Sequence, residues 1–373
     1  MKKNITSAKS PRQTKEAIRQ SNRVTIGMDL GDKTSRYCVL NEGGEVVAEG
    51  SAASTQKGML QTFGTIPRCR IAIEVGTHSP WISRLLNRVG HEVIVANARQ
   101  VKLISASSRK TDKLDAQMLA RLARVDPQLL RPIQHRSEEA QADLNYIRVR
   151  EVLVEARTAL VNAARGFSKA GGERIAKCDA DQVDVEKLAE LPAALQAVLK
   201  PLIEQVESLT EKIKECDGKL EEIARTRYPE IKLLKQVNGV GTLIALTFIL
   251  TVEDGERFAK SRDVGCYVGL RPKRSESGDS QPQLRITKEG DRYLRKLLVQ
   301  GAHCILRPKG PDTDLKRWGF KLSERGGKNA KKRAVVAVAR KLAILLHHLW
   351  VTGEVYEPLR NAKATSRQKK AAA

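Results

Sequence analysis

Four acidic residues stand where they could do chemistry on a phosphate. Asp112 and Asp115 lie three apart among lysines in KTDKLDAQMLARLA, residues 110–123. On a helix that spacing puts both carboxylates on one face, within reach of a shared cation. Acids also suit the first turn of a helix for its dipole alone, so the pair by itself does not define a site. Asp29 in IGMDLG and Glu74 in IAIEVG each end an apolar, strand-like run, where an unpaired carboxylate is costly. Four carboxylates brought together repel unless cations neutralise them. Mg²⁺ does this with oxygen ligands, and a pair of such ions clamps the attacking and leaving oxygens of a phosphodiester.

A second set of residues lies between 235 and 303. KQVNGVGTLIALTFIL (235–250) has the apolar residue, GxG and following helix of a helix–hairpin–helix element, with Gly239 and Gly241 turning the chain. Such a turn can aim backbone N–H groups at a phosphate; a plain glycine turn between packed helices has the same pattern. Further on, Ser275, Ser277 and Ser280 sit in a polar loop with Arg271, Lys273, Arg274, Arg285 and Lys288 around them. A serine among cations can face a phosphate and act as a nucleophile, although a serine in such a loop is ordinarily only loop. RGGKNAKKR (325–333) places Lys331, Lys332 and Arg333 at the start of the last helix. Cations are unfavourable there, which suits an anionic partner or a merely solvated entrance.

These residues need elements to hold them. The chain has 373 residues, enough for two or three domains. Aromatic residues are only 4% of it, so its cores must be aliphatic and helix-rich. A net charge of +24 with a pI near 9.9 attracts polyanions, nucleic acid foremost, and selects a class of partner without an activity. The six cysteines form no CxxC pair, which argues against a zinc site or a disulfide framework. The opening residues lack the apolar core of a signal peptide, and Arg340 and Lys341 interrupt the long apolar stretch near the end. A cytoplasmic, nucleoid-associated protein is expected.

Residues 1–22 and 357–373 are basic, aperiodic and expected to be disordered tails. Between 23 and 136, three strands in a meander (23–31, 35–41, 44–52) precede alternating helices and strands, with strands at 69–76 and 91–98 and a helix at 79–90 capped by Ser79. That is the order of a ribonuclease-H-like α/β fold, in which strands one and four are neighbours and Asp29 and Glu74 lie side by side. Residues 137–227 are long, charged and helical, with a heptad seam at Val206, Leu209, Ile213, Cys216, Leu220 and Ile223. An antiparallel hairpin within one chain and a coiled coil between chains fit that seam equally. Residues 228–356 form a further, mostly α-helical unit.

The combination of IGMDLG, IEVG and TDKLDAQMLARL resembles the N-terminal domain of the IS110/IS1111 transposases, whose DEDD tetrad lies on a RuvC-like fold. GLRPKRSESG followed by RITKEGDRYLRKLL resembles their C-terminal transposase domain, whose catalytic serine immediately precedes a glycine. Residue by residue, the resemblance implies catalytic, metal-binding roles for Asp29, Glu74, Asp112 and Asp115, with Mg²⁺ as the cofactor. It implies that Ser277 is the nucleophile of a recombinase that forms a covalent phosphoserine link to DNA. It further implies target and donor DNA as substrates, a noncoding bridge RNA as guide, and a homo-oligomer whose acids and serine come from different subunits. A noncatalytic nucleic-acid-binding protein is one alternative, and two enzymatic ones stand beside it. One is a RuvC-like junction nuclease that uses water. The other is an actin-like ATP phosphotransferase, since DLGDKTS resembles the first phosphate loop of that class; there Asp29 would hold Mg·ATP, with Asp32 and Thr34 lining phosphates.

Overall fold

The computed structural model describes Glu16 and residues 23–97, 112–278, 280–282 and 284–361. The chain forms two compact units, Met1–Arg136 and Ser137–Ala373. In the first, β1 (Thr25–Asp29), β2 (Thr34–Leu40) and β3 (Val46–Ala53) make the antiparallel meander, while β4 (Arg70–Glu74) and β5 (Glu92–Ala96) run parallel to β1. The order across the mixed sheet is β3-β2-β1-β4-β5, so strands one and four are neighbours.

Alternation along each strand divides the side chains between two faces. Ile26, Met28, Ile71 and Ile73 pack against α1 (Gln56–Phe63) and α2 (Ser79–Arg88), where Met59, Phe63, Ile82 and Leu86 meet them. The opposite face carries Cys38, Leu40, Ala72 and Ile94 and is covered by α3 (Asp112–Val125) through Ala116, Leu119, Ala120 and Ala123. Cover on both faces is why β1 and β4 read as continuous apolar runs. Ser79 does not cap α2 as expected. It is the first helical residue, after His78, and its hydroxyl accepts the Gly76 N–H (3.0 Å) instead.

Gly27 determines how closely α3 approaches. A Cβ there would lie 2.1 Å from the Ala116 carbonyl oxygen and 2.3 Å from the Ala120 nitrogen, so the helix backbone rests directly on β1. The direction of α3 follows from its far end. Arg70, the first residue of β4, donates to the Ala123 carbonyl (3.1 Å), and Arg124 donates to the Glu42 carbonyl (3.0 Å) in the β2–β3 turn. The carboxyl end of α3 thus lies over the starts of β1 and β4, and its amino end runs toward their carboxyl ends.

The second unit begins with α4 (Glu138–Ala170) and α5 (Ala193–Arg227), which pack on each other as an antiparallel hairpin. The heptad seam is consumed within the chain: Val206, Ile213, Leu220 and Ile223 are buried, Leu209 and Cys216 only half so. Far from its base, Val161, Ala164, Leu199 and Ile203 make a small core with the connecting segment. At the base, Leu144, Ile147, Leu220 and Ile223 join the main core of the unit. That core is shared with α6 (Ile231–Leu234), α7 (Thr242–Val252), α8 (Ser261–Tyr267), α9 (Arg292–Ile305), α10 (Asp314–Ser323) and α11 (Ala330–Thr352).

By length and composition α11 could cross a membrane, but Val335, Val338, Leu342, Leu346 and Leu349 are buried in this core. Where a tail was expected from 357, the fold continues through Asn361, because the Pro358 carbonyl accepts the Asp314 N–H and the Asn361 N–H donates to the Asp314 carboxylate, each at 2.7 Å. Residues 1–15, 17–22 and 362–373 lie outside the described residues. The described part of this unit holds isolated β-bridges and no second sheet, which removes the repeated fold that an actin-like phosphotransferase requires.

Candidate active site and nucleic-acid interface

The acidic edge is built by β1, β4 and α3. Paired register between the parallel strands runs to Met28 and Ile73, and Asp29 and Glu74 come next, at the end of each strand. Both share the sheet face of Gly27 and Ala72, the face that α3 covers. Asp115 precedes Ala116, whose carbonyl lies over Gly27, and Asp112 lies one turn nearer the amino end of α3. Strand register and helix direction thus bring Asp29, Glu74 and Asp115 to the same edge of the sheet. The side chain of Asp112 lies outside the described residues, as does the segment 98–111 leading to it.

Asp29, Glu74 and Asp115 are each half-buried. Among the described residues, the carboxylates of Glu74 and Asp115 have no hydrogen-bond or ion-pair partner. Half-buried carboxylates without a counter-charge are unfavourable, and hard oxygen donors suit a divalent cation such as Mg²⁺. Among the described residues no three His, Cys, Asp or Glu side chains come close enough to hold a metal ion. As carboxylates at one sheet edge, Asp29, Glu74 and Asp115 fit such a cation in kind.

Other residues at this edge were not singled out by spacing. Arg36 on β2 lies directly across from Asp29. His78, in the loop after β4, holds its Nε2 3.6 Å from Asp32 in the loop after β1, while the Trp81 indole N–H donates to its Nδ1 (3.2 Å). The loop itself is pinned by Ser79, whose hydroxyl lies 2.9 Å from His135 Nε2. Burial, with help from Arg84 and Arg136, holds His135 below its ordinary pKa, so it stays neutral near pH 7.

The serine stretch is an extended two-stranded arm. Lys288 N–H donates to the Gly269 carbonyl, Thr287 to Arg271 and Lys273 to Arg285, at 2.9 to 3.1 Å. At its tip Ser277 and Ser280 exchange backbone hydrogen bonds of 3.3 and 3.1 Å around Gly278. Arg271, Lys273, Arg274, Arg285 and Lys288 are all exposed along it, as are Ser275, Ser277 and Ser280. Among the described residues, no histidine or carboxylate hydrogen-bonds to the Ser277 hydroxyl. The base of the arm is braced. Arg295 donates to the Val268 (3.0 Å) and Glu289 (2.7 Å) carbonyls, and Asp291 caps α9 while pairing with Arg148 of α4.

The glycine turn divides its labour. A Cβ at Gly239 would lie 2.8 Å from the Gly301 carbonyl of α9, so this glycine serves packing between helices. Gly241, just before α7, faces open space, and Lys235 donates to the Thr242 hydroxyl beside it (2.7 Å). The element before the turn, α6, is a single helical turn, shorter than a hairpin's first helix. Lys331, Lys332 and Arg333 are exposed on the first turn of α11.

Comparison with known proteins finds transposases along most of the chain. Residues 26–167 match the transposase model named DEDD_Tnp_IS110, and residues 231–315 match the Transposase IS116/IS110/IS902 family. The chain is 28% identical over 339 residues to the transposase for insertion sequence element IS1111A of Coxiella burnetii, covering 89% of this chain and 90% of that protein. It is 28% identical to a probable family 20 transposase of Pseudomonas aeruginosa, covering 89% and 98% respectively. It is 27% identical to the transposase for IS1328 of Yersinia enterocolitica, covering 76% and 84%.

Proposed function

The chain belongs to the IS110 family of transposases, and we propose that it is the recombinase of a mobile insertion element, cutting and rejoining DNA with Ser277 as nucleophile. The observation that carries this reading is the edge shared by Asp29, Glu74 and Asp115, where two half-buried carboxylates lack a partner among the described residues. The sheet order and the helix crossing β1 support a ribonuclease-H-like, RuvC-type domain. Asp29, Glu74, Asp112 and Asp115 would hold Mg²⁺, which when bound neutralises the carboxylates and polarises the scissile phosphate.

Ser277 Oγ forms a bond to phosphorus as one P–O bond to a deoxyribose breaks. The hydroxyl proton leaves Oγ, and the departing oxygen takes up a proton. In the rejoining step a deoxyribose hydroxyl of another strand displaces Oγ, and the serine is regenerated. Arg271, Lys273, Arg274, Arg285 and Lys288 line the arm that brings Ser277 to the phosphate, and Gly241, Lys331, Lys332 and Arg333 add backbone and charge contacts. The Ser277 hydroxyl has no base beside it among the described residues, which favours acids and serine meeting from different subunits of a homo-oligomer. The seam of α5 is already used inside the chain, so the outward face of α4, with exposed Tyr146, Val149, Val152 and Phe167, is the better surface for pairing subunits.

A net charge of +24 suits two DNA duplexes and a structured guide RNA from the element's flank. The test has two parts. Asp29→Ala, Glu74→Ala and Asp115→Ala should each abolish recombination while nucleic-acid binding persists; full recombination by these variants would sink the acidic site. RNA surviving nuclease treatment of protein purified with its native flanks should be one discrete flank transcript, and a smear of cellular RNA would remove the guide. The junction-nuclease alternative uses water and keeps strand cleavage in Ser277→Ala.

A further inference from the structure

A cavity of about 560 Å³ opens between α10, α11 and the segment Val355–Asn361. That volume lies within the roughly 300–1,000 Å³ of small-ligand pockets. Its walls are mainly apolar and aromatic, from Trp318, Leu345, Leu349 and Tyr356. The covering segment is fastened through Asp314, which donates its N–H to the Pro358 carbonyl and accepts the Asn361 N–H, and through Tyr356 N–H to the Gln236 side chain (3.0 Å).

Two cations on the wall stand out. The Lys341 ammonium sits 4.0 Å over the Trp318 ring and has no hydrogen bond or ion pair among the described residues. Partial desolvation of the ammonium lowers its pKa from the ordinary lysine value although the side chain as a whole is exposed, with Asp314 pulling the other way. Arg262 is exposed and likewise without a described partner. The other charges of the wall have these settings: Arg360 and His348 both face Glu354, at 2.8 and 3.5 Å, the Asp314 carboxylate accepts the Asn361 N–H, and Glu357 is exposed.

An apolar, aromatic recess with two cations short of acceptors matches a flat base attached to a phosphate. We propose that this cavity takes one unstacked nucleotide of a single-stranded nucleic acid, its base against Trp318, Tyr356 and Leu349 and its phosphate on Lys341 and Arg262. Aromatic side chains and cations are the means by which proteins hold unpaired bases. A duplex keeps its bases stacked and cannot enter. None of the acids or serines named above lines the cavity, and the proposal rests on the nucleic-acid reading above.

The test uses the full-length protein with a short single-stranded oligonucleotide carrying 2-aminopurine, in DNA and RNA forms, and a duplex of the same sequence. Trp318→Leu and Lys341→Met should each weaken single-strand binding roughly tenfold and leave duplex binding nearly unchanged. Lys341 is exposed, so its variant remains informative if Trp318→Leu fails to fold. The better-held form, DNA or RNA, identifies the strand. Equal losses on strand and duplex, or no loss on either, overturn the pocket. Failure of the wild-type protein to bind any of the probes would overturn the nucleic-acid reading and the pocket with it.

Discussion

Replacing Gly27 by alanine tests how the acidic edge is assembled. The added methyl would sit 2.1 Å from the Ala116 carbonyl oxygen and 2.3 Å from the Ala120 nitrogen, whereas ordinary contact begins at 3.4 Å. The helix α3 must therefore lift by roughly 1.3 Å from β1. Lifting loosens Ala116, Ala120, Leu119 and Ala123 from Cys38, Leu40 and Ala72. Overpacking of this kind costs about 3 kcal/mol, or on the order of 10 °C in the melting of a unit this size. The catalytic consequence is larger than the thermal one, because α3 carries Asp112 and Asp115. A misplacement of about 1 Å costs roughly a hundredfold in rate. The colliding atoms are backbone, so Ala116→Gly and Ala120→Gly should not rescue it. The assay is strand cleavage on a DNA substrate below the variant's melting point, alongside binding of the same DNA. Near-wild-type cleavage by Gly27→Ala, or rescue by Ala116→Gly, would refute the placement of α3 on β1.

Glu74→Gln removes a half-buried carboxylate that lacks a described partner, so without divalent metal it should raise the melting temperature by a few degrees, as about 1 kcal/mol would; an unchanged or lower melting point would show that Glu74 is already compensated. Arg148→Ala should lower stability by roughly 1–3 kcal/mol in a denaturant titration, because it strips a charged partner from Asp291 at the base of the serine arm. Lys296→Ala, whose pairs with Glu151 and Glu155 are long and more exposed, should cost less than about 1 kcal/mol, and the reverse order would contradict the bracing. His135 titrates below its ordinary value of 6.5 in the folded chain. Its contribution is whole above that pH and is lost as pH falls below it, where the unfolded chain binds the proton first. His135→Gln should flatten that part of the stability profile, and an unchanged slope would remove the assignment.

Strand order and the neighbouring of Asp29 and Glu74 follow from local pattern. Apolar runs, glycine turns and a meander followed by alternating helix and strand leave few topologies. The role of Gly27 does not follow in this way. A glycine in a strand reads as a turn or a weak strand, and only the helix lying on it gives it a purpose. The heptad seam of α5 carried its period but not its partner, because period alone cannot separate a second chain from the chain's own α4. The serine stretch read as a loop since its pairs join residues such as Arg271 and Thr287 in an irregular ladder with little alternation. His78 and Arg36 were missed because a lone histidine in a loop and an arginine in a strand carry no spacing signal; register and a neighbouring indole bring them to the acidic edge.

The central claim is that Ser277 becomes bonded to DNA phosphate. The direct measurement is to trap the reaction of the full-length protein on a DNA substrate with Mg²⁺, digest it, and locate the nucleotide-bearing peptide by mass spectrometry. The account predicts a phosphoserine adduct at Ser277 that is absent from Ser277→Ala and from Glu74→Ala. Cleaved DNA with no protein adduct, or an adduct on Ser275 or Ser280, would contradict it.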